Sequence, residues 1–141
     1  YTNTDSLMLG PSAAIIGEQS GSYVAGKLLT ARPVGTGSSD LGGIGVFLGS
    51  GADDLGTVAV RRISGPAGVV VASVTNPQAD TGIARRWDIV SDNPPSSGRA
   101  LTLSWVSDDD NGRDLSSAYL WKSLDGGANW TAVFGDRKSG V

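Results

Sequence analysis

The sequence predicts an all-β protein, a two-layer antiparallel β-sandwich of about nine or ten strands of ordinary length. Three observations predict it. Apolar residues come in short runs bounded by Gly, Asn, Asp and Pro. No ten-residue stretch free of Gly and Pro carries helical spacing. Several segments alternate polar and apolar residues with the period of two that a half-buried strand imposes. With 21 Gly, 6 Pro and only 18% charged residues, strands and turns must carry the fold rather than helices with charged faces. The 141 residues are the common size of one domain, so 1–141 is read as a single unit. An open sheet of that many strands leaves one face uncovered, and two facing sheets solve this more economically than a closed barrel.

Strands are expected in chain order as follows. Ser6–Leu9 is stopped by Gly10-Pro11, and Ala13–Ile16 by Gly17. Ser22–Val34 is a long β-prone stretch, with Gly26 as a bulge or close-packing point. Gly35–Gly43 is a turn-rich connection before Ile44–Leu48. In Thr57–Ile63, Val58 and Val60 share one face while Ala59, Arg61 and Ile63 share the other. Ala67–Val74 holds Val69, Val70 and Val71 in a row and reads as covered on both sides, followed by a polar turn around Asn76-Pro77. Ile83, Trp87 and Ile89 face a core, with Arg85 on the same side near an edge or engaged by a carboxylate. Ala100–Val106 places Leu101, Leu103 and Trp105 on one face, and these three with Trp87 are expected to be buried together. Ala118–Lys122 and Asn129–Phe134 complete the set.

Composition excludes several kinds of chemistry. The chain has no Cys and no His, which removes thiolate nucleophiles, Cys/His zinc sites, disulfides and imidazole acid–base catalysis. Glu18 is the lone glutamate, Asp53-Asp54 are adjacent and would diverge in a strand, and no G-x-S-x-G elbow occurs. The chain therefore reads as a non-enzyme with no catalytic residues and no cofactor. Eleven basic against fourteen acidic residues give a net charge of −3, with no basic stretch to neutralise phosphates, so nucleic acid is not expected as a partner. No apolar run approaches the roughly 20 residues of a membrane span, and Tyr1–Asp5 has neither the basic start nor the apolar run of a signal peptide.

Asp108-Asp109-Asp110-Asn111-Gly112-Arg113-Asp114 is the one metal candidate. Oxygen ligands from Asp108, Asp110 and Asp114 suit Ca²⁺, a hard cation. In a frame starting at Asp108, however, Gly112 falls at the fifth position, one short of the EF-hand glycine. The competing reading is a hairpin turn at Asn111-Gly112 whose acids face water. Arg61-Arg62 and Arg85-Arg86 each put one arginine on either face of a strand, and salt bridges to Asp88, Asp92 or the 108–110 run are their expected use. Trp121 and Tyr119 are the aromatics left for a glycan platform. Asn129-Trp130-Thr131 is a formal glycosylation sequon that coincides with a second pattern.

That pattern, Ser123-Leu124-Asp125-Gly126-Gly127-Ala128-Asn129-Trp130, resembles the Asp-box of sialidases and other β proteins. Asp125 would accept nearby backbone N–H groups, the glycines would take positive φ, and Trp130 would pack back over the hairpin. The resemblance implies a folding element remote from catalysis, carried by Ser123, Asp125, Gly127 and Trp130.

Most of the chain also resembles, in order, a β module that recurs in large cell-surface and secreted proteins of Bacteroidetes-type bacteria, often upstream of a C-terminal sorting domain. The pieces are Leu7–Gly10 with Gly17-Glu18, Gly21–Gly26, Leu41–Val46, Gly56–Arg62 with Gly65, Gly82–Ile89, and Trp121 to Trp130. In that family an acid followed by Leu-Asn-Gly often stands where Asp108–Gly112 stands here. The resemblance implies an extracellular, cell-surface location, an adhesin-like or structural role, and no catalytic residues to carry over. The expectation is a subunit or module of a surface fibre or adhesin, a homo-oligomer or polymer joined by β-strand contacts or a neighbour of other modules. Residues 1–16 serve as a possible exchanged or donated strand, since no charge occurs between Ser6 and Ile16 and Leu7, Leu9, Ile15 and Ile16 would be exposed on a free tail. The alternative is a carbohydrate-binding adhesion module, Ca²⁺-dependent if the acidic run holds metal.

Overall fold

A computed structural model describes residues 2–66, 82–116 and 118–137. The expected strand at Ala67–Val74 and the turn at Asn76-Pro77 lie outside the described residues. The regular structure of the described residues is β apart from the 3-10 turn Ser107–Asp110 and 3-10 conformation at Pro66. Strands β1 (Thr2–Met8), β2 (Gly26–Pro33), β5 (Thr57–Ser64) and β6 (Arg85–Ser91) form a sheet in the order β1-β2-β5-β6. Strands β3 (Ser39–Asp40), β4 (Val46–Leu48) and β7 (Leu101–Leu103) form a second, and β8 (Tyr119–Lys122) with β9 (Thr131–Arg137) a two-stranded third.

Alternation is clearest in β5, where Val58, Val60, Arg62 and Ser64 are buried and Ala59 and Arg61 exposed. Its register, Leu28 opposite Arg62 and Thr30 opposite Val60 on β2, lines up the inward residues of both strands. Leu28, Val58 and Val60 from this sheet meet Leu41, Ile44, Val46 and Leu48 of the β3–β4 region, with Val34 and Leu55 between them, in one apolar core. Burying each of these side chains contributes about 1.5–3 kcal/mol. Leu28 is wholly buried, so Leu28→Ala is expected to lose about 2–5 kcal/mol, read from the urea midpoint at unchanged m.

Among the described strands all pairing is antiparallel except at β1, which runs parallel to β2 with a register break between Thr2 and Ser6. Two adjacent parallel strands require a crossover of a dozen residues or more. Residues 9–25 supply it. This is why the expected strand at Ala13–Ile16 does not form: between Gly10-Pro11 and Gly17 the chain is crossing from one end of the sheet to the other. The crossover touches the second sheet where the Ile15 N–H donates to the Gly42 carbonyl at 3.0 Å. A Cβ at Gly43, whose φ is +67°, would collide with the Ile15 carbonyl oxygen. Gly43→Ala should therefore lift the crossover and add the αL penalty of about 1–2 kcal/mol, visible as a lower melting temperature and faster amide exchange at Ile15.

Several strand bounds move for local reasons. Gly26 opens β2 at a φ of +111° instead of bulging inside it. A short strand, β3, arises within the expected Gly35–Gly43 turn. The burial expected for Leu101 is corrected. β7 pairs only the three residues of β4, which leaves Leu101 at the sheet margin, 42% exposed, while Leu103 and Trp87 pack on the core. Trp105 lies past the end of β7 and is half-buried, its ring 6.3 Å from that of Trp87. Ile89, also expected to face the core, is exposed.

Candidate functional site

The acidic run forms a 3-10 turn, Ser107–Asp110, which ends when Asn111 takes the left-handed conformation at φ 55° and Gly112 follows at 67°. Its carboxylates part company. Asp108 accepts the Ser20 hydroxyl at 2.7 Å and the Gly21 N–H at 2.6 Å. Asp110 accepts the Trp105 indole N–H at 2.7 Å, and Asp114 the Ser116 N–H at 2.9 Å. Among the described residues no three acidic side chains cluster as metal ligands would. The bonds from Gly21 and Ser20 hold Asp108 below the usual carboxylate range, and those from Ser116 do the same for Asp114.

Asp109 overturns the reading of this run as solvated acids, because it is completely buried. One oxygen accepts the Tyr23 hydroxyl at 3.0 Å and the Gly65 N–H at 3.2 Å, and the other accepts Arg85 Nε at 2.6 Å. Arg85, equally buried, lies 5.6 Å from the centre of the Tyr23 ring. Burial, with the positive charge of Arg62 nearby, pulls the Arg85 guanidinium below its usual range despite its bond to Asp109. Burial and the bond to Asp109 push Tyr23 up.

Beside it lies a second buried pair. Arg62, with no exposed surface, donates to both oxygens of Glu18 at 2.6 and 2.8 Å and to the Val24 carbonyl at 2.9 Å. Glu18 also accepts the Val24 N–H at 2.9 Å. Its burial raises the carboxyl pKa, but the Arg62 and Val24 bonds and the Arg62 charge outweigh that and leave it lowered. Parity contained the signal for both pairs: if Val58, Val60 and Trp87 face inward, so do Arg62 and Arg85, and two buried guanidinium groups demand two buried carboxylates. Arg85 does meet the 108–110 run, and Arg61 meets Asp88 at 2.7 Å. That exposed pair stabilises by about 0–1 kcal/mol.

Two further arginines fasten loops through carbonyl oxygens. Arg32 donates to those of Pro11 and Ala13 on the crossover. Arg99 donates to those of Gly35, Gly37, Gly49 and Asp53. The adjacent carboxylates Asp53 and Asp54 diverge, Asp53 to the Ser96 hydroxyl and N–H and Asp54 to the Gly56 N–H.

The turn of the β8–β9 hairpin is closed by local bonds. Asp125 accepts the Asn129 N–H at 2.9 Å, its side-chain amide at 2.6 Å and the Ser123 hydroxyl at 2.7 Å. These bonds lower its pKa to about 2. Gly126 and Gly127 take φ of 72° and 94°, and the Trp130 indole donates back to the Gly127 carbonyl. With its amide bound to Asp125, Asn129 serves the turn. Tyr119 and Trp121 lie exposed on β8.

A scan against protein-family models, a search of curated proteins and a search of solved structures return no match to this chain. No described helix is long and apolar enough to cross a membrane.

Proposed function

We propose that the chain is a structural module of an extracellular bacterial surface fibre or adhesin that assembles through β-strand contacts, its described sheets forming a sandwich. The observation that carries this reading is β1. It is an edge strand of its sheet, the one parallel strand among the described residues, and broken in register, which makes it an irregular edge and a template for a neighbouring chain. The adjoining sheet face adds apolar surface: a groove of about 760 Å³ is lined in part by Met8, Leu9, Leu29, Ala31, Ala59 and Val90, with Met8 and Val90 about 70% exposed. A neighbour adding a strand at this edge would pair its backbone groups and cover Met8, while Ala59 and Val90 lie farther across the sheet, on β5 and β6.

The test is to delete residues 1–8, leaving Glu18 on Arg62. The shortened chain is expected to keep its core and lose assembly, followed by light scattering and electron microscopy. Polymers like those of the full chain would rule out β1 as the connector. A second reading, glycan binding in an adhesion module, is favoured by the exposed Tyr119 and Trp121. It predicts glycan-dependent quenching of indole fluorescence that Trp121→Ala abolishes.

A further inference from the structure

Building on that reading, we infer that the Glu18–Arg62 pair is a latch for an N-terminal arm, residues 2–24, and that the seat of this arm accepts the same arm from a second copy. The arm is fastened mainly by polar contacts. Residues 10–14, 16, 17 and 19–22 are exposed, and only Leu9, Ile15 and Val24 of the crossover pack on the core. The arm's polar fastenings are the β1–β2 ladder, the Leu9 N–H on the Leu29 carbonyl, the Ile15 N–H on the Gly42 carbonyl, the Ser64 hydroxyl on the Val24 carbonyl, Arg32 on two carbonyls, Asp108 on Ser20 and Gly21, Tyr23 on Asp109, and Glu18 on Arg62.

These bonds differ in what their loss leaves behind. Asp108 is exposed and exchanges its partners for water at little cost. Arg62 is wholly buried, its counter-ion comes from the arm, and its one other acceptor is the Val24 carbonyl at the arm's end. Removing Glu18 therefore strands a guanidinium charge in the interior. The arm ends just before Gly26, whose positive φ suits a hinge.

The same asymmetry selects the occupant. A peptide filling the vacated β2 edge must bring a carboxylate to Arg62 and carbonyls to Arg32 at fixed spacing. The arm of a second copy brings both, so exchange conserves every bond.

Hydrogen exchange on the full-length chain tests this. In Glu18→Gln, and in Arg62→Met, which leaves no charge in the core once Glu18 swings out with the arm, amides in 2–9 and 15–24 should exchange at least about tenfold faster while Val58–Val60 and Trp87–Val90 keep their protection. Asp108→Ala should leave the arm protected as in wild type. Mixed copies of Arg62→Met and wild type, labelled with different dyes, should show energy transfer that grows with concentration. Unchanged arm protection in both latch variants overturns the latch, as does equal release by Asp108→Ala. An opened arm without energy transfer overturns the second-copy seat. Polymerisation by the chain lacking residues 1–8 would instead remove the strand-contact reading, whatever the latch does.

Discussion

Asp109→Ala is expected to destabilise the protein by about 3–5 kcal/mol, the usual consequence of leaving a buried charge without its partner. Total stabilities are about 5–15 kcal/mol, so this one change could consume most of the fold's margin. Among the described residues Asp109 is the only carboxylate bonded to the buried Arg85, and it also accepts Tyr23 and the Gly65 N–H. One terminal nitrogen of Arg85 has no hydrogen-bond partner among the described residues, so the bond to Asp109 is the main tie of this guanidinium there. Urea unfolding followed by tryptophan fluorescence measures the loss, since Trp87 lies two residues from Arg85 on β6 and Trp105 donates to Asp110, next to Asp109. The double variant Asp109→Leu with Arg85→Met should recover much of it, because apolar replacement of a whole buried pair is often neutral. A double variant as unstable as the single one would mean that the bonds to Tyr23 and Gly65, and not the charge pair, dominate.

The second large effect is a steep loss of stability in acid. Glu18, Asp53, Asp108, Asp114 and Asp125 all have folded pKa values below their ordinary ones. A group depressed in this way stabilises the folded state fully above its unfolded pKa and loses that contribution as pH falls through its folded pKa. The five contributions have the same sign and therefore add. For Asp125 the window runs from its ordinary value of 3.8 down to about 2. The urea midpoint should be flat near neutrality and drop steeply below about pH 4. Asp125→Asn should flatten the lowest part of that fall, and Glu18→Gln should lower the plateau at neutral pH while reducing the slope below it. A midpoint independent of pH between 5 and 2 would contradict the assigned carboxylate bonds.

Strands with a clean period of two were legible in the sequence. Val58 and Val60 on β5 announce their face, and Ser123 to Trp130 announce their turn down to the roles of Asp125 and Trp130, because both signals are local. The acidic run was not legible. Three consecutive aspartates look alike in a sequence, and only the three-dimensional position of Arg85 separates the buried Asp109 from the exposed Asp108. Glu18 was opaque for the same reason, lying 44 residues from Arg62. The parallel pairing of β1 escaped as well, since an alternation pattern carries no information about the direction of the partner strand. The failure at Leu101 arises because parity fixes which side a residue faces, not whether anything lies over it.

Arg32, Arg62, Arg85 and Arg99 together bind the crossover, the acidic turn and the loops around Gly35, Gly49 and Asp53 to the sheets. Small disulfide-rich domains give that task to covalent cross-links. Here the ties form at the rate of side-chain motion, so maturation waits on no oxidant, isomerase or thiol exchange, which proceed over seconds to hours. The chain should refold from denaturant in one uninterrupted process, equally well with or without a reducing agent. Lysine cannot replace these ties, because a single ammonium lacks the planar fork that reaches several carbonyl oxygens at once.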